Sequence, residues 1–394
     1  MLARTRGHTT LGWALLLGLG CRSRIEVEHA SLAWTSRPAR ACPSVSPRGA
    51  VELSYRLISA SGCTSARPCL LLQGPRVSQL EYVELSLDGE GPRVERTQTL
   101  ALRPGSIRGT AGATIRGEEL VISSGGLGAM TLTLARLGTD GELQWQSALP
   151  IPESRWQRPL VLGDEVAVLA EGVTVTLHFV DRRGTPRREV ALGETSALWL
   201  DGCLLRAGDR LFAAWVGDAN YGDGQDRGTA LHTAWISVAT GEVLRGRTQQ
   251  AEGLGHQLAC ARRDTDVAVL VLDGRGTIHS TIMGADSDFD GPLTLVAKLD
   301  GTYDFWRPQL VADGDGFAAA WDAVPREDER MRPRGFVSYL DREGRRTRIV
   351  ELGSSARDVR LIPGSSGVTA VYWSGGRRLS AAEVDCGGAG RPGP

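Results

Sequence analysis

Residues 304–352 read DFWRPQLVADGDGFAAAWDAVPREDERMRPRGFVSYLDREGRRTRIVEL, and this stretch decides the fold prediction. It divides into four short segments rich in apolar, aromatic and β-branched residues, bounded by Gly and Asp, which is typical of β-strands. The predicted strands are 307–312, 317–323, 335–340 and 345–352, with a tight turn at 341–344 before the last. The stretch therefore predicts one four-stranded antiparallel unit.

The turn before the fourth strand recurs along the chain. Its copies are 88–91 (DGEG), 138–141 (GTDG), 181–184 (DRRG), 238–241 (VATG), 288–291 (DFDG) and 341–344 (DREG). Their closing glycines are 50, 43, 57, 50 and 53 residues apart. A period near fifty with about four short strands per unit is the signature of a β-propeller.

Counting the units predicts an all-β, seven-bladed β-propeller, with six or eight blades as alternatives. The expected blades are centred near 41–102, 108–149, 157–193, 200–250, 257–300, 305–352 and 357–386. The last blade is one strand short, whereas residues 25–34 (IEVEHASLAW) precede the first blade without a partner. Because a closed ring exposes no unpaired strand edge, we expect residues 25–34 to complete the last blade.

The composition is that of an ordinary globular chain. The protein has 394 residues, 41% hydrophobic and 23% charged, with a formal net charge of −1. This length supports a sizeable core, and the charge balance does not favour a nucleic-acid partner. We expect a monomer.

The N-terminus has the layout of an export signal. Arg4 and Arg6 precede a ten-residue apolar segment, 11–20, and Cys21 follows Gly20. The layout resembles a bacterial lipoprotein signal, in which the mature protein begins at a lipid-modified cysteine, here Cys21. Gly18 and Leu19 depart from the preferred residues of that signal, and cleavage by an ordinary signal peptidase is the alternative.

These features divide the chain into an export signal (1–20), a lipid-anchor linker (21–24), a propeller (25–386) and a disordered tail (387–394). The resemblance implies a membrane-attached lipoprotein of a bacterial cell envelope, facing the periplasm or the outside. The lipid would be its only membrane contact.

Cysteine parity agrees with export. Seven cysteines leave six if Cys21 carries lipid, and six can all pair in an oxidising compartment. Cys203 and Cys260 occupy the same position in consecutive repeats and are a predicted disulfide. Cys63–Cys69 and Cys42–Cys386 are the other predicted pairs, and buried free thiols are the alternative.

The repeat also resembles known families. The pattern Pro-x-h-x-x-x-Gly-Asp-x-h-x-h-x-Trp (h, hydrophobic), then a loop, a strand and Asp-x-x-Gly, is similar to the degenerate propeller repeats of secreted bacterial proteins and, more loosely, to kelch-type blades. The resemblance covers residues 25–386. It implies a fold and leaves function open, because propellers serve in binding, scaffolding and catalysis.

One turn has the spacing of a calcium loop. Asp286, Asp288 and Asp290 alternate before Gly291, an arrangement that can hold Ca²⁺. The twelfth position is Ala297, so the bidentate carboxylate of the helix-loop-helix site is missing. We therefore interpret this turn as a plain solvated hairpin and expect no cofactor, with Ca²⁺ at this turn or at loop 218–226 as the alternative.

Repeat register predicts a binding face. Inner strands of a propeller start at the rim of the central channel. The long loops between second and third strands also emerge there, and we expect them at 63–69, 218–226 and 326–334. The residues expected around this mouth are Arg108, Trp156, Trp199, His256, Trp306 and Arg357. Aromatic faces beside hydrogen-bond donors suit a protein or glycan ligand. Alternatively, the tryptophans pack between blades.

Catalytic motifs are absent from the sequence, since the histidines are isolated and no G-x-S-x-G elbow occurs. The favoured function is therefore a non-enzymatic binding or scaffold protein that uses one rim. The alternative is an exported carbohydrate-active hydrolase or lyase with residues drawn from several blades. Two convergent carboxylates at the mouth, about 5–10 Å apart, would favour the glycosidase.

Overall fold

The structure is a computed structural model, and it describes most of the chain between residues 46 and 384. The described ranges are 46–53, 56–64, 67–73, 80–87, 92–100, 111–116, 119–124, 132–138, 142–149, 157–171, 174–181, 183–194, 202–218, 229–250, 254–273, 276–284, 292–298, 303–325, 332–364, 367–375 and 378–384.

The secondary-structure elements in these ranges are all β-strands, and they form seven four-stranded antiparallel sheets. The first described strand, β1 (Ser46–Glu52), belongs to the seventh sheet. The first sheet contains β2 (Arg56–Thr64), β3 (Arg67–Gln73), β4 (Leu80–Ser86) and β5 (Arg93–Thr99). The second contains β6 (Ala111–Arg116), β7 (Glu119–Ser124), β8 (Leu132–Gly138) and β9 (Leu143–Leu149). The third contains β10 (Gln157–Val161), β11 (Val166–Glu171), β12 (Thr174–Val180) and β13 (Pro186–Glu194).

The remaining sheets follow the same plan. The fourth contains β14 (Gly202–Ala207), β15 (Arg210–Asp218), β16 (Thr229–Ser237) and β17 (Val243–Gln250). The fifth contains β18 (Leu254–Arg263), β19 (Asp266–Asp273), β20 (Thr277–Gly284) and β21 (Thr294–Lys298). The sixth contains β22 (Tyr303–Asp313), β23 (Gly316–Pro325), β24 (Arg334–Leu340) and β25 (Arg346–Ser354). The seventh contains β26 (Ala356–Pro363), β27 (Val368–Ser374) and β28 (Arg378–Val384), with β1 paired to β28.

Burial explains the apolar runs of the sequence. All six residues of β11 are buried, whereas six of the seven residues of β5 are exposed. A strand covered on both faces has apolar residues at consecutive positions, and a strand at the surface does not need them. Six hydrophobic clusters in the described part of the chain each contain residues from two neighbouring sheets. The core therefore lies between sheets.

The strands that begin the sheets contact one another in a cycle. These seven strands, here called the inner strands, are β2, β6, β10, β14, β18, β22 and β26. Each contacts the next, and β26 contacts β2.

The recurring Asp-x-x-Gly turn has a clear physical basis. The Oδ1 atoms of Asp181 and Asp341 each accept two backbone N–H groups of their own turn, at 2.8–3.0 Å. Gly184 and Gly344 close these turns with φ of 79° and 80°, the left-handed region that favours glycine. A Cβ atom on Gly184 would also lie 2.9 Å from the ring of Trp145 in the preceding sheet. The glycine therefore serves both the turn and the contact between sheets.

The strand that completes the seventh sheet differs from the prediction. The partner of β28 is β1, with Val51 opposite Leu379, so residues 46–52 take the edge predicted for residues 25–34. Residues 25–34 lie outside the described residues, and the strands of the first sheet begin at Arg56 instead of near residue 41. The segment SPRGAVE contains Pro47 and Gly49, two residue types that weaken a regular strand. A register shift between Pro47 and Ala50, with φ of 92° at Gly49, admits both into an edge strand.

Cysteine placement agrees with one prediction and corrects a loop assignment. Cys203 of β14 and Cys260 of β18 form the predicted disulfide, with Cα atoms 6.0 Å apart. Cys69 is also disulfide-bonded. Cys63 and Cys69 lie in β2 and β3, so the segment between them is the first hairpin, not the predicted second-to-third loop. The pairs Cys63–Cys69 and Cys42–Cys386 include side chains outside the described residues and stay predictions.

None of the described residues form a helix that is long and apolar enough to span a membrane.

The β1–β28 pairing can be tested with two matched valines on outermost strands. Val51 packs against the cluster that joins the seventh and first sheets, whereas Val94 in β5 is 38% exposed. Val51→Asp should lower the free energy of unfolding by about 1–3 kcal/mol, because it buries a polar group among apolar side chains. Val94→Asp should change it by less than about 0.5 kcal/mol. Urea denaturation measures both, and equal effects would contradict the pairing.

Candidate functional site

The structure describes only part of the predicted mouth. Trp306 in β22 is 44% exposed, and Arg357 in β26 is also exposed. His256 lies in β18. The other predicted rim and metal positions lie outside the described residues: Arg108, Trp156, Trp199, Asp286, Asp288 and Asp290.

A backbone irregularity recurs at the start of three inner strands. The pairing register shifts between Leu254 and Gln257 in β18, between Trp306 and Gln309 in β22, and between Arg357 and Arg360 in β26. Within the last two bulges, Arg307 and Asp358 both have φ of 54°. The left-handed region costs a non-glycine residue about 1–2 kcal/mol, so other contacts must hold these bulges.

Those contacts come from the preceding sheet. Asp322, at 0% exposure near the end of β23, accepts the N–H of Asp358 at 2.6 Å and that of Val359 at 3.2 Å. One carboxylate of the sixth sheet thus holds the bulge of the seventh. In the same way, Gln257 Oε1 of the fifth sheet accepts the N–H of Arg307 at 2.5 Å.

The side chains around Asp322 form a charged group. Arg307 Nη1 lies 3.6 Å from Asp322 Oδ2 and also makes an ion pair with Asp358 Oδ1. Arg360, two residues after Asp358, interacts electrostatically with both aspartates. We call Arg307, Asp322, Asp358 and Arg360 the Asp322 cluster.

Burial shifts the pKa of two side chains of the cluster, Asp322 and Arg360. It raises the pKa of Asp322 to about 6, with the amides of Asp358 and Val359 and the charge of Arg307 acting against the rise and the Asp358 carboxylate adding to it. Burial also lowers the pKa of Arg360, opposed by Asp358 and Asp322 and reinforced by Arg307 and by Arg158 of β10. A guanidinium stays charged at neutral pH despite such a shift.

The cluster lies one residue beyond the predicted positions. Trp306 and Arg357 are exposed at the edge, and the residues that follow them, Arg307 and Asp358, build the cluster. Gln257, which follows His256, also holds a bulge. The sequence reasoning missed these residues because the bulges break the regular alternation of faces. The one signal was Asp322 itself, a carboxylate at the end of the apolar run FAAAW.

The chemistry available to Asp322 is limited by its surroundings. Both of its oxygens accept backbone N–H groups, and solvent does not reach it. A carboxylate in this position stabilises backbone and cannot approach a substrate. Among the described residues, no group of three or more His, Cys, Asp and Glu side chains is placed to hold a metal ion.

A second charged surface lies at the hairpin turns of the third sheet. An open depression of about 520 Å³ is lined by Asp164, Glu165, Asp181, Arg183 and Arg187. Its charges are engaged locally: Arg187 Nη2 lies 2.6 Å from Asp181 Oδ2. The pKa of Asp181 is lowered chiefly by the backbone N–H of Thr185. The charged side chains of this surface therefore stabilise the hairpin turn itself.

The fold is that of a β-propeller. The propeller domain of Cps50 (Swd1) from Myceliophteria thermophila matches with a TM-score of 0.52 and 13% identity, over 86% of this chain and 100% of that chain. The propeller domain of the Trilobed protease from Pyrococcus furiosus matches with a TM-score of 0.48 and 7% identity, over 86% and 100%. A DUF4221 family member from Bacteroides vulgatus matches with a TM-score of 0.44 and 9% identity, over 87% and 96%. At these identities the likeness concerns the fold alone.

No protein-family model and no curated protein sequence matches the chain.

Asp322→Asn tests the role of the buried carboxylate. An amide keeps one acceptor and directs N–H donors at a backbone N–H, so the free energy of unfolding at pH 7 should fall by about 1–3 kcal/mol. The pKa of about 6 in the folded state exceeds the ordinary aspartate value of 3.8, so the folded state binds more protons between these values. Wild-type stability should therefore gain about 1 kcal/mol relative to the variant between pH 7 and pH 5.

Urea denaturation at both pH values measures these differences. Asp209→Asn is the matched control, since the Asp209 side chain is 95% exposed, and it should be neutral at both. An Asp322→Asn curve that runs parallel to the wild type between pH 7 and pH 5 would contradict the assigned titration.

Proposed function

We propose that this protein is an exported, lipid-anchored, seven-bladed propeller that binds a protein or glycan at one rim and is not an enzyme. The observation that carries the proposal is the exposure of Trp306 and Arg357, near the start of two contacting inner strands that the Asp322 cluster links.

Ring closure is the first part of the proposal. The cyclic contacts among the inner strands and the pairing of β1 with β28 support a ring of seven blades closed by the N-terminal strand. Such a closure pairs strands that are far apart in the sequence. It therefore joins the seven repeats, which share a weak sequence pattern, into one rigid body.

Export and lipid anchoring are supported from two directions. The arginines, apolar segment and Cys21 have the layout of a lipoprotein signal. The Cys203–Cys260 disulfide suits an oxidising compartment such as the periplasm or the cell surface. We propose attachment through a lipid on Cys21, with the propeller as the functional part, loosely similar to kelch-type proteins.

Binding at the rim is supported by the chemistry of its exposed side chains. Large aromatic side chains are costly to expose, and Trp and Arg are the residues that most often dominate binding energies. A tryptophan face with a guanidinium nearby can stack on a sugar ring or on a peptide side chain and hydrogen-bond its polar groups. Binding a glycan or a protein in this way requires no cofactor, and a monomer is sufficient for it.

One observation favours the alternative, a carbohydrate-active hydrolase or lyase. Asp322 and Asp358 both form ion pairs with Arg307 Nη1, so two carboxylates lie close together near the predicted mouth. However, Asp322 is sealed from solvent and both of its oxygens accept backbone N–H groups. A general acid must reach its substrate, so these contacts favour binding over hydrolysis.

Trp306→Ala tests the rim. The chain from Arg22 onward, fixed to beads or applied to a glycan array, should retain a ligand that the variant binds about 10-fold or more weakly, because the aromatic stacking surface is lost. Arg357→Ala should weaken the binding of the same ligand. The thermal midpoint of both variants should stay near that of the wild type.

Leu295→Ala is the control, because Leu295 is 51% exposed on β21, away from the inner strands. It should bind as the wild type does. Equal retention by Trp306→Ala and the wild type would refute rim binding, and unfolding of Trp306→Ala would assign the tryptophan to packing between blades.

A further inference from the structure

The bulges near the start of β22 and β26 decide which way the side chains there point. Phe305 and Leu310 both pack into the cluster that joins the fifth and sixth sheets, although their odd spacing places them on opposite faces of a regular strand. Ala356 and Val359 likewise both pack between the sixth and seventh sheets. Each bulge therefore exchanges the two faces of its strand.

This exchange exposes two predicted rim residues. In a strand of unbroken alternation, Trp306 would share the face of Leu310, between the fifth and sixth sheets. Arg357 would share the face of Val359, between the sixth and seventh sheets. With the bulges in place, Trp306 is 44% exposed and Arg357 is also exposed. The exposure of both side chains is therefore a product of the bulges.

The bulges hold strained backbone. Arg307 and Asp358, the residues that follow Trp306 and Arg357, both have φ of 54°, which is unfavourable for a residue with a side chain. Such backbone persists only where its surroundings hold it, and it is concentrated at binding and catalytic sites. Bulges at these sites direct a side chain toward the ligand. The two strained positions therefore indicate that the direction of the rim side chains matters for function.

Two polar side chains hold the strained residues from the preceding sheet. Gln257 Oε1, in the fifth sheet, accepts the N–H of Arg307 at 2.5 Å. Asp322, in the sixth sheet, accepts the N–H groups of Asp358 and Val359. The ion pair between Arg307 Nη1 and Asp358 Oδ1 joins the two bulges. These contacts link the fifth, sixth and seventh sheets in a row.

A glycine lets the seventh sheet come close to Asp322. Gly335 of β24 lies opposite Asp322 in the sixth sheet. A Cβ atom on Gly335 would lie 2.8 Å from Val359 Cγ2 and 2.9 Å from the Cβ atom of Ala356. A larger residue would push β26 away, so the glycine allows the carboxylate to reach the backbone of the bulge.

We propose that Gln257 and Asp322 are positioning residues, which direct Trp306 and Arg357 toward a ligand on the rim arc of the sixth and seventh sheets. The inference rests on the proposed function and deepens it, because it assigns the residues that set the geometry of the site. Gln257 sets the direction of Trp306, and Asp322 sets that of Arg357. Neither positioning residue contacts the ligand.

The test is chemical labelling of the full chain, with each labelled residue identified by peptide mass spectrometry. N-bromosuccinimide oxidises exposed indoles, and phenylglyoxal modifies exposed guanidiniums. Gln257→Leu should slow the oxidation of Trp306 at least about 3-fold, because the indole turns between the sheets when the bulge is lost. Asp322→Asn should slow the modification of Arg357 by a similar factor. Each variant should affect its own rim residue more than the other one.

A second arm measures binding on the glycan array. Gln257→Leu and Asp322→Asn should each weaken Trp306-dependent glycan binding about 10-fold, although neither side chain contacts the ligand. Gln257→Glu keeps an oxygen that can accept the N–H of Arg307, so it should restore both the labelling of Trp306 and the binding. If a variant fails to fold, Gln257→Ala and Asp322→Ser remove the same contacts with smaller side chains.

Ser280→Ala is the matched control. Ser280 Oγ donates to the carbonyl of Gly344, so this variant also removes a hydrogen bond between neighbouring sheets, but at the hairpin turns. It should lower the thermal midpoint and leave labelling and glycan binding unchanged. A role in stability alone would give the same result for Ser280→Ala and for the two bulge variants.

Unchanged labelling of Trp306 in Gln257→Leu, or of Arg357 in Asp322→Asn, would overturn the inference. Equal changes in Ser280→Ala would also overturn it. The two proposals fail separately. Wild-type glycan binding that the bulge variants leave intact would refute only the positioning role. Altered labelling without any Trp306-dependent glycan binding by the wild type would refute binding at the rim.

Discussion

The structure depends on the carboxylate of Asp322, which accepts the backbone N–H groups of Asp358 and Val359. This contact holds a residue with φ of 54° and binds the sixth sheet to the seventh. Other neighbouring sheets use the same principle, in which a side chain of one sheet satisfies the backbone of the next. Arg188 Nη1 donates to the carbonyl of Ala239, and Ser280 Oγ donates to that of Gly344. Apolar packing brings the sheets together, and these polar contacts fix their positions.

Much of the fold could be predicted because each repeat depends on local interactions of particular residue types. The turn 341–344 needs Asp to accept two amides and Gly to adopt a positive φ, so spacing alone reveals the unit. The apolar run at 317–321 identifies a strand buried on both faces. The closing strand could not be found in this way, because edge strands carry a weak apolar pattern. Residues 46–52, with a proline and a bulge, took the place predicted for the more regular 25–34.

The residues that build the Asp322 cluster follow predicted rim residues by one position, and this offset has a physical cause. Side chains alternate along a strand with a period of two, so an unforeseen bulge exchanges exposed and buried positions. Trp306 and Arg357 were predicted to line the mouth, whereas Arg307 and Asp358, the residues that follow them, make contacts between sheets. An Arg or an Asp in the sequence does not by itself predict a left-handed backbone conformation.

The central claim is that Asp322 fixes the bulge of the next sheet, and residue-resolved hydrogen exchange tests it most directly. The amides of Asp358 and Val359 should exchange as slowly as those of the paired strand β27, because a buried carboxylate accepts both. The amide of Asp315, in the exposed turn between β22 and β23, supplies the fast reference. Exchange of Asp358 and Val359 at the rate of Asp315 would contradict the account.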